Sequence, residues 1–439
     1  MSAQTLGLCG FAVLLVFMML RVPIGLAMLA VGAAGSAMII GVPGTLSAFE
    51  NLPYENFSSH TLSIIPLFLL MGQFASHAGL SGALFQAASE WFGHRRGGLA
   101  ISTIGACGAF GAICGSSLAT AATMTQVALP EMERRGYAGG LSTGALAAGG
   151  TLGILIPPSI VLVIYAILAE ENINEMFAAA LVPGVLAALG YMLAISVYAR
   201  LYPDSAPRLD KAPMRRRLAA VLKVWPAAAI FIVVIGGIYV GIFTPTEAAA
   251  VGAASTGLLA LVQGRMNATL LARCLAYTAI TTAMIFFIIL GAEQFNSFLA
   301  LTQLPQDVAG WIIGLEASPW LVLAGILLCY LVLGCFMDSL SMILLTVPIF
   351  LPIIVGLDFG LPASEVSIWF GILAVIVVEV GLITPPVGLN IFVIHSMAPQ
   401  VPLKETFKGI VPFLVSDVIR VAILVAFPAI TLWFVRFLY

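Results

Sequence analysis

The sequence predicts an all-α polytopic membrane protein built from two inverted halves, with about ten spanning helices and two re-entrant helical hairpins. Three observations support this fold class. The 439 residues are 61% hydrophobic and only 9% charged, a composition outside the range of soluble globular domains. Apolar segments near the roughly 20 residues that span a bilayer recur along the whole chain. The order of these segments in the first half is repeated in the second.

The same broken-helix motif occurs in both halves. Residues 153–158 read GILIPP and residues 381–386 read GLITPP, both inside long apolar segments. Adjacent prolines remove backbone donors and break a helix, and lipid cannot satisfy the freed carbonyl groups. Two breaks at matching places predict a polar site at mid-membrane, as in secondary transporters. The alternative is a pair of proline kinks in ordinary membrane helices.

Two other apolar segments are interrupted by small and polar residues. Residues 99–129 are broken around 115–119, and arginines flank both ends at 95–96 and 134–135. Because basic residues favour the cytoplasmic side, both ends should lie on that side, which predicts a re-entrant hairpin. The alternative is one span with a small-residue packing face. Residues 320–355, broken at 334–341, are a second candidate hairpin.

The orientation of the halves follows from the basic loop at residues 200–223, which is expected in the cytoplasm. Counting spans from this loop opens the first hairpin to the cytoplasm. The second hairpin, flanked by Asp307, Asp358 and Glu365, opens to the other side, so the halves are inverted and both termini lie outside.

Interfacial helices are predicted at 81–93 and 305–314, and residues 42–60 are expected to form a polar loop.

No residues have the spacing of a catalytic or metal-binding motif. The four histidines and six cysteines are scattered, and no Walker loop or Ser-His-Asp order is present. The sequence therefore does not predict an enzyme. The net charge of −2 gives no indication of a nucleic-acid partner.

The four broken elements should meet tip to tip at mid-membrane. Carbonyl groups at the ends of their first arms, together with hydroxyl groups, suit a small cation, whereas the N-termini of the second arms favour an anion. The candidate cation ligands are Ser116, Ser117, Gly153 and Pro157 in the first half and Asp338, Ser339, Gly381, Thr384 and Pro385 in the second. The candidate substrate contacts are Ser117, Thr120, Pro158, Thr384, Pro386 and Asn390.

Several of these residues have a structural alternative. A carboxylate at a hairpin tip is by default functional, but Asp338 has the alternative role of a partly hydrated structural group. For Ser116 and Ser117 one alternative is a role as helix caps alone, and the other is a role as both caps and cation ligands. For Asn390 the alternatives are that its side chain faces the substrate or that it forms hydrogen bonds with the backbone at the break. Glu293 and Glu379 are also acids inside apolar segments. Because each has an alternative structural role, either an ion pair with Arg420 or a cap of the helix break, neither is included in the predicted primary site.

Five segments show a family resemblance: GAICGSSLAT at 111–120, PEMERRGY at 130–137, GILIPPS at 153–159, Gly334-x3-Asp338, and EVGLITPPVGLN at 379–390. In these motifs the chain resembles the large membrane subunit of the tripartite ATP-independent periplasmic (TRAP) transporters of the dicarboxylate/sialate type. The resemblance covers essentially the whole chain. It places the family's sodium ligands at the Ser116/Ser117 and Asp338 tips and at the two Pro-Pro breaks.

The resemblance implies an elevator-type importer in the bacterial inner membrane that couples Na+, two or more ions, to uptake of a C4-dicarboxylate, sialate or similar organic acid anion. It also implies two partners, a small four-helix membrane subunit on a separate polypeptide and a periplasmic substrate-binding protein. The scaffold would comprise residues 1–95 and 200–315, and the moving transport domain residues 96–199 and 316–439.

Three other functions stay open from the sequence. A stand-alone sodium/dicarboxylate symporter with similar inverted hairpins needs no binding protein. An ion channel would conduct ions without substrate. An intramembrane enzyme would need a nucleophile–base pair, and none is visible in the sequence.

Overall fold

The structure, a computed structural model, describes residues 2–314 and 317–439, and in these ranges it contains helices and no strands. The predicted all-helical fold is confirmed. The side chain of Ile313 and the predicted domain boundary between residues 315 and 316 lie outside the described residues. The helices of the first half are α1 (Ala3–Met19), α2 (Ile24–Phe57), α3 (Ile64–His77), α4 (Leu80–Phe92), α5 (Gly98–Cys114), α6 (Ser117–Arg134), α7 (Gly139–Leu155), α8 (Ile160–Leu168) and α9 (Ile173–Leu201).

The second half repeats this series of elements. A π-helical turn at Ile232–Gly236 joins α10 to α11, so that Met214–Tyr239 forms one span. The helices are α10 (Met214–Phe231), α11 (Gly237–Tyr239), α12 (Pro245–Val262), α13 (Ala268–Thr302), α14 (Leu304–Gly314), α15 (Pro319–Gly334), α16 (Ser339–Val355), α17 (Ala363–Gly381), α18 (Leu389–Met397), α19 (Leu403–Ala426) and α20 (Pro428–Leu438).

The number of spans lies close to the ten expected. In the described part of the chain, seven helices are long and apolar enough to cross a membrane, or nine if each bent helix pair is one span. Helix α1 is apolar but has 17 residues, which is the lower limit for crossing a hydrocarbon core.

Both re-entrant hairpins have the expected helix–tip–helix form. In the first, Gly115 caps the end of α5 with a left-handed φ of 67°, and Ser116 is the N-cap of α6. In the second, a short segment separates Gly334 at the end of α15 from the N-cap Asp338 of α16. The two arms of each hairpin pack on each other.

The Pro-Pro segments interrupt their helices as predicted. Helices α7 and α8 meet at a bend of 45°, and residues 382–388 separate α17 from α18. The Pro157–Pro158 and Pro385–Pro386 peptide bonds are both cis.

The prediction of a polar loop at residues 42–60 is wrong. Helix α2 continues to Phe57 through a kink at Gly41, whose φ is 77°. Tertiary packing accounts for the difference, because α2 packs on α13 before and after the kink, and beyond the kink the Phe57 ring stacks on Phe286. At Gly32 the two helices approach so closely that a Cβ would lie 2.7 Å from the Gln294 carbonyl carbon.

Two further boundaries differ from the expected ones. The basic loop between the halves is shorter than predicted, because α10 begins at Met214 and its arginines are helical. The last apolar segment is two helices, since α19 ends at Ala426 and Pro428 begins α20.

The number of candidate spans between the hairpins agrees with inverted halves. Five segments with the length and composition of a membrane span lie between them: the bent pair α7–α8, then α9, α10–α11, α12 and α13. An odd number of crossings places the open ends of the hairpins on opposite sides of the membrane. Inverted repeats of this kind place broken helices at the repeat interface.

The broken helices also exchange their second arms between the halves. Helix α8 packs on α16 and α17 of the second half, and α18 packs on α6 and α7 of the first. The first arms are deeply buried, with every residue from Leu141 to Leu155 and from Val366 to Gly381 inside the protein. This reciprocal packing brings both hairpin tips and both breaks into one central region.

Candidate functional site

The tip of the first hairpin lies against the first Pro-Pro break. A Cβ at Gly153 would lie 2.7 Å from the carbonyl oxygen of Ser116 and 2.6 Å from Oγ1 of Thr120. A Cβ at Gly115 would lie 3.1 Å from the carbonyl oxygen of Pro158. The first hairpin and the first broken helix therefore bring four predicted site residues close together: Ser116, Thr120, Gly153 and Pro158.

The second half repeats this arrangement with different residues. A Cβ at Gly381 would lie 2.7 Å from the Cα of Gly334. The Cys335 thiol lies 3.5 Å from the carbonyl oxygen of Pro385. The tip of the second hairpin therefore meets the second break, as the matching sequence motifs predict.

Asp338 caps the second arm of its hairpin. Its carboxylate accepts hydrogen bonds from the Ser341 backbone N–H at 3.1 Å and from the Ser341 hydroxyl at 2.5 Å. The side chain is half-buried, so it keeps access to space beyond the hairpin. Ser116 caps α6 in the same way by accepting from Ala119 N at 3.4 Å. The capping role proposed for the tip serines is thus present at Ser116, and the remaining lone pair of its hydroxyl oxygen is compatible with an additional ligand.

Glu379, which is not among the predicted site residues, lies beside the tip of the second hairpin. Its side chain is fully buried, and its Oε1 accepts a 2.6 Å hydrogen bond from the Ser339 hydroxyl. Its Oε2 has no hydrogen-bond partner among the described residues. The feature of the sequence that could have identified Glu379 is a lone acid inside an apolar helix, two residues before the predicted site residue Gly381.

Several buried polar atoms near the breaks have no hydrogen-bond partner among the described residues. They include Oγ1 of Thr120 and both amide atoms of Asn390. The backbone N–H of Asn390, not its side chain, bonds the broken segment at the Leu382 carbonyl, 3.1 Å away. Because buried polar groups are normally paired, these atoms are available to a ligand.

The two breaks differ in exposure. Pro157 and Pro158 are buried, whereas Pro385 and Pro386 are exposed. Thr384 is half-buried, and its hydroxyl donates to the Val380 carbonyl at 2.6 Å. The predicted substrate contacts of the second break therefore border open space, and those of the first lie inside the packed domain.

The other intramembrane charges form separate pairs. Arg420 lies 2.8 Å from Asp417 on its own helix, and Asp417 accepts a 2.9 Å hydrogen bond from the Tyr191 hydroxyl. Glu293 accepts from the side-chain amide of Asn56. The alternative that Glu293 or Glu379 pairs with Arg420 is therefore wrong, because Asp417 takes that place.

The donor set fits a hard monovalent cation. Carbonyl oxygens at Ser116 and Pro385, hydroxyl groups and one carboxylate are hard oxygen ligands, and carbonyls of unwound helices coordinate Na+ in such folds. No cluster of three or more His, Cys, Asp or Glu side chains that could hold a metal ion occurs in the described ranges. Sodium would be held at the tips and breaks, where it would supply positive charge beside buried oxygen atoms.

Comparison with known proteins agrees with this architecture. Residues 11–430 match the family model described as the tripartite ATP-independent periplasmic transporter, DctM component. The C4-dicarboxylate TRAP transporter large permease protein of Pseudomonas aeruginosa is 37% identical over 403 residues, covering 91% of this chain and 92% of that protein. The sialic acid TRAP transporter large permease protein of Vibrio cholerae is 32% identical, covering 86% of each chain.

The fold also resembles a solved structure. The crystal structure of the Alcanivorax borkumensis YdaH transporter, described as having an unusual topology, superposes with a TM-score of 0.63 at 14% identity. The likeness covers 94% of this chain and 97% of that one. From the family match over nearly the whole chain and the identity to curated large permeases, this multi-span membrane protein belongs to the DctM family of TRAP transporter large permeases.

Proposed function

We propose that this chain is the transport subunit of a sodium-coupled importer of an organic acid anion, a C4-dicarboxylate, sialate or a similar carboxylate. The observation that supports this most directly is that buried polar atoms without hydrogen-bond partners lie close to two helix breaks. Thr120 and Asn390 present such atoms from opposite halves. Together with the breaks they form a polar binding site inside an apolar protein.

Sodium would occupy the two tip-and-break regions. Ser116, Ser117, Gly153 and Pro157 supply the oxygen ligands of the first region, and Asp338, Ser339, Gly381, Thr384 and Pro385 those of the second. Sodium beside Asp338 would neutralise its charge in a low-dielectric environment, where an unpaired charge is costly. Each sodium ion that crosses the full membrane potential releases about 2.3 kcal/mol per 100 mV.

The substrate would bind between the breaks. Ser117, Thr120, Pro158, Thr384, Pro386 and Asn390 are the proposed contacts. The N-terminal ends of the second arms favour an anionic group. The names of relatives include C4-dicarboxylate, sialic acid and isethionate, which all have an acidic group in common.

Transport would proceed by an elevator movement of one domain against another. We assign residues 1–95 and 200–315 to the scaffold, and residues 96–199 and 316–439 to the transport domain. Contacts support this division, since α2 packs on α13 and α3 on α12 within the scaffold, whereas α19 packs on α7 and α9 within the transport domain. Helices α4 and α14 would brace the moving part, because they pack on the hairpin helices α5 and α16.

The chain would function in the bacterial inner membrane with two partners. The family is described as tripartite, which supports a small four-helix membrane subunit and a periplasmic substrate-binding protein as the other components. The odd number of crossings between the hairpins and the basic loop before α10 support a topology with both termini in the periplasm.

Reconstitution tests this function directly. The chain is purified with its small subunit, placed in liposomes, and assayed with radiolabelled organic acids, with and without binding protein and with either a sodium or a potassium gradient. We expect uptake only when the binding protein and an inward sodium gradient are both present. Full-rate uptake without binding protein would instead identify a stand-alone symporter, and a substrate-independent current would identify a channel.

A further inference from the structure

We propose that a cavity at the open end of the first hairpin binds the headgroup of an anionic phospholipid such as phosphatidylglycerol. The cavity has a volume of about 700 Å³, which is within the range of ligand sites in proteins. It lies between α4, the open end of the α5–α6 hairpin, and the linker of residues 202–213 that joins α9 to α10. It is separate from the tips and breaks where sodium and substrate are proposed to bind.

The polar wall of the cavity has more basic than acidic side chains. Its basic side chains are Arg134, Arg135, Lys211 and Arg216, and its acidic ones are Glu90, Glu131 and Asp210. The net charge of this wall is therefore one positive unit, which one phosphate diester group of a lipid would neutralise. Hydroxyl groups of a glycerol headgroup would donate hydrogen bonds to the carboxylates.

The basic groups of the wall retain donors for such a phosphate. Glu131 pairs with Arg135 at 2.9 Å and with Arg134 at 2.5 Å, but each guanidinium group has five N–H donors. Lys211 and Arg216 form no ion pair within the described residues. Because arginine binds phosphate in a bidentate geometry, the wall offers charge-assisted hydrogen bonds to a lipid headgroup.

The surrounding surface is strongly basic as well. Residues 86–135 and 200–223 contain eleven Lys and Arg residues and five acidic residues. Basic residues mark the cytoplasmic side of a membrane protein, where the leaflet contains negatively charged lipids that such residues attract. This surface therefore raises the local concentration of anionic headgroups at the cavity.

Aromatic contacts place the cavity at the depth of lipid headgroups. The indole N–H of Trp91, at the end of α4, donates to the Arg217 carbonyl oxygen at 3.3 Å, and the Arg217 guanidinium lies over the Trp91 ring. Tryptophan is enriched at membrane–water interfaces. The cavity also has an apolar wall, which includes Phe85, Leu99 and Val127 and offers contacts to the glycerol backbone and the first carbons of the acyl chains.

Hydrogen bonds fix the three elements around the cavity. The Leu209 N–H donates to the Gly93 carbonyl oxygen at 3.1 Å, which joins the linker to the end of α4. The Tyr137 hydroxyl donates to the Pro207 carbonyl oxygen at 3.0 Å and accepts from the Leu99 N–H at 3.1 Å, which joins the linker to the hairpin. A lipid in the cavity would bridge the scaffold helix α4 and the moving hairpin. This consequence for transport rests on the proposed function, whereas the lipid binding does not.

A lipid titration tests the site without any transport step. The purified protein in an uncharged detergent is titrated with phosphatidylglycerol, phosphatidylethanolamine or glycerol phosphate. Bound lipid is counted by native mass spectrometry, and the unfolding temperature is a second readout. We expect phosphatidylglycerol to bind and to raise the unfolding temperature, and the other two compounds to have little effect.

Two double variants with the same loss of charge separate the cavity from the basic surface around it. Lys211→Gln with Arg216→Gln removes two exposed cations that line the cavity. It should raise the half-saturating phosphatidylglycerol concentration about fivefold for each charge lost. Arg208→Gln with Arg215→Gln removes two exposed cations of the same region that lie outside the cavity lining and should leave that concentration near the wild-type value. Equal effects of the two double variants would overturn the proposed site.

Protection of a cysteine locates the bound lipid. In a background without the six native cysteines, Gln86→Cys lies in the cavity and Arg208→Cys lies on the linker outside it. Phosphatidylglycerol should slow alkylation of Gln86→Cys severalfold and leave that of Arg208→Cys unchanged. An unprotected Gln86→Cys, or equal protection by phosphatidylethanolamine or glycerol phosphate, would overturn the assignment to an anionic lipid. Failure of sodium-driven uptake in liposomes would overturn the proposed function and leave this result unaffected.

Discussion

Gly111 of α5 and Gly153 of α7 touch backbone to backbone: a Cβ at Gly111 would lie 2.5 Å from the Cα of Gly153. The second half has the same contact between Gly334 of α15 and Gly381 of α17. Each pair joins the first arm of a hairpin to the first arm of a broken helix. Close approach of this kind requires small residues on both helices, and it places each tip beside its break.

A methyl group at Gly381 should therefore destabilise the site. Gly381→Ala places a Cβ 2.7 Å from the Cα of Gly334, and overpacking of this kind costs about 1–3 kcal/mol. The unfolding temperature in detergent should fall and uptake should be lost. Gly325→Ala on α15, where no heavy atom lies within 4 Å of the added group, should be neutral or stabilising by up to about 1 kcal/mol. Equal unfolding temperatures for the two variants would contradict this account.

Two substitutions separate the capping role of Asp338 from its charge. Asp338→Asn keeps an acceptor for the Ser341 N–H and removes the charge, whereas Asp338→Ala also removes the cap, which costs about 0.5–2 kcal/mol. We expect Asp338→Asn to unfold near the wild-type temperature and to need more sodium for half-maximal uptake. An unchanged sodium dependence in Asp338→Asn would mean that the carboxylate serves only as a cap.

Asn390→Leu should separate fold stability from substrate binding. Both amide atoms are buried without partners in the described structure, so an apolar side chain of similar size should not lower the unfolding temperature. The substrate concentration for half-maximal uptake should rise about tenfold or more, because a hydrogen bond to a charged group contributes about 1.5–3 kcal/mol.

Asn296→Leu is the matched control for this substitution. The amide oxygen of Asn296 also lacks a partner among the described residues, but the residue lies on α13, outside the proposed site. Its substrate dependence should stay at the wild-type value. Equal substrate dependence in the Asn390 and Asn296 variants would remove Asn390 from the substrate site.

The buried Asp417–Arg420 pair should be far more sensitive than the exposed pair of Glu365 and Arg436. Side chains of the first pair are 1% and 6% exposed, so Asp417→Asn leaves a buried charge unpaired and should cost about 3–5 kcal/mol. Glu365→Gln breaks a pair whose side chains are 23% and 49% exposed and should cost at most about 1 kcal/mol. Comparable losses of unfolding temperature would show that burial does not set the difference.

Single cysteines on the open ends of the hairpins should report the inversion of the halves. Arg135 and Asp358 are both exposed, and an odd number of crossings separates the hairpins. In a background without the six native cysteines, Arg135→Cys and Asp358→Cys should react with an impermeant thiol reagent from opposite faces. Both should react after permeabilisation, and labelling of both from one face would refute the inverted topology.

Local backbone chemistry explains what the sequence by itself determined. Paired prolines break a helix wherever they occur, so the breaks at Pro157 and Pro385 followed from composition and position. Small and polar residues at 115–119 and a lone acid at Asp338, each inside an apolar segment, similarly marked the two tips. These features depend on a few adjacent residues, and long-range packing did not override them.

Contacts between distant segments decided the rest. Helix α2 continues past Gly41, where Asn56 and Phe57 contact α13, and residues 42–60 by themselves do not reveal this support. The hydrogen-bond partner of Glu379 is Ser339 at the tip of the second hairpin, and an isolated acid in an apolar helix does not identify it. Arg420 had a potential partner three residues away in Asp417, yet several intramembrane acids competed for it. The tertiary structure decided among them, because a buried charge is stabilised by whichever opposite charge the fold places beside it.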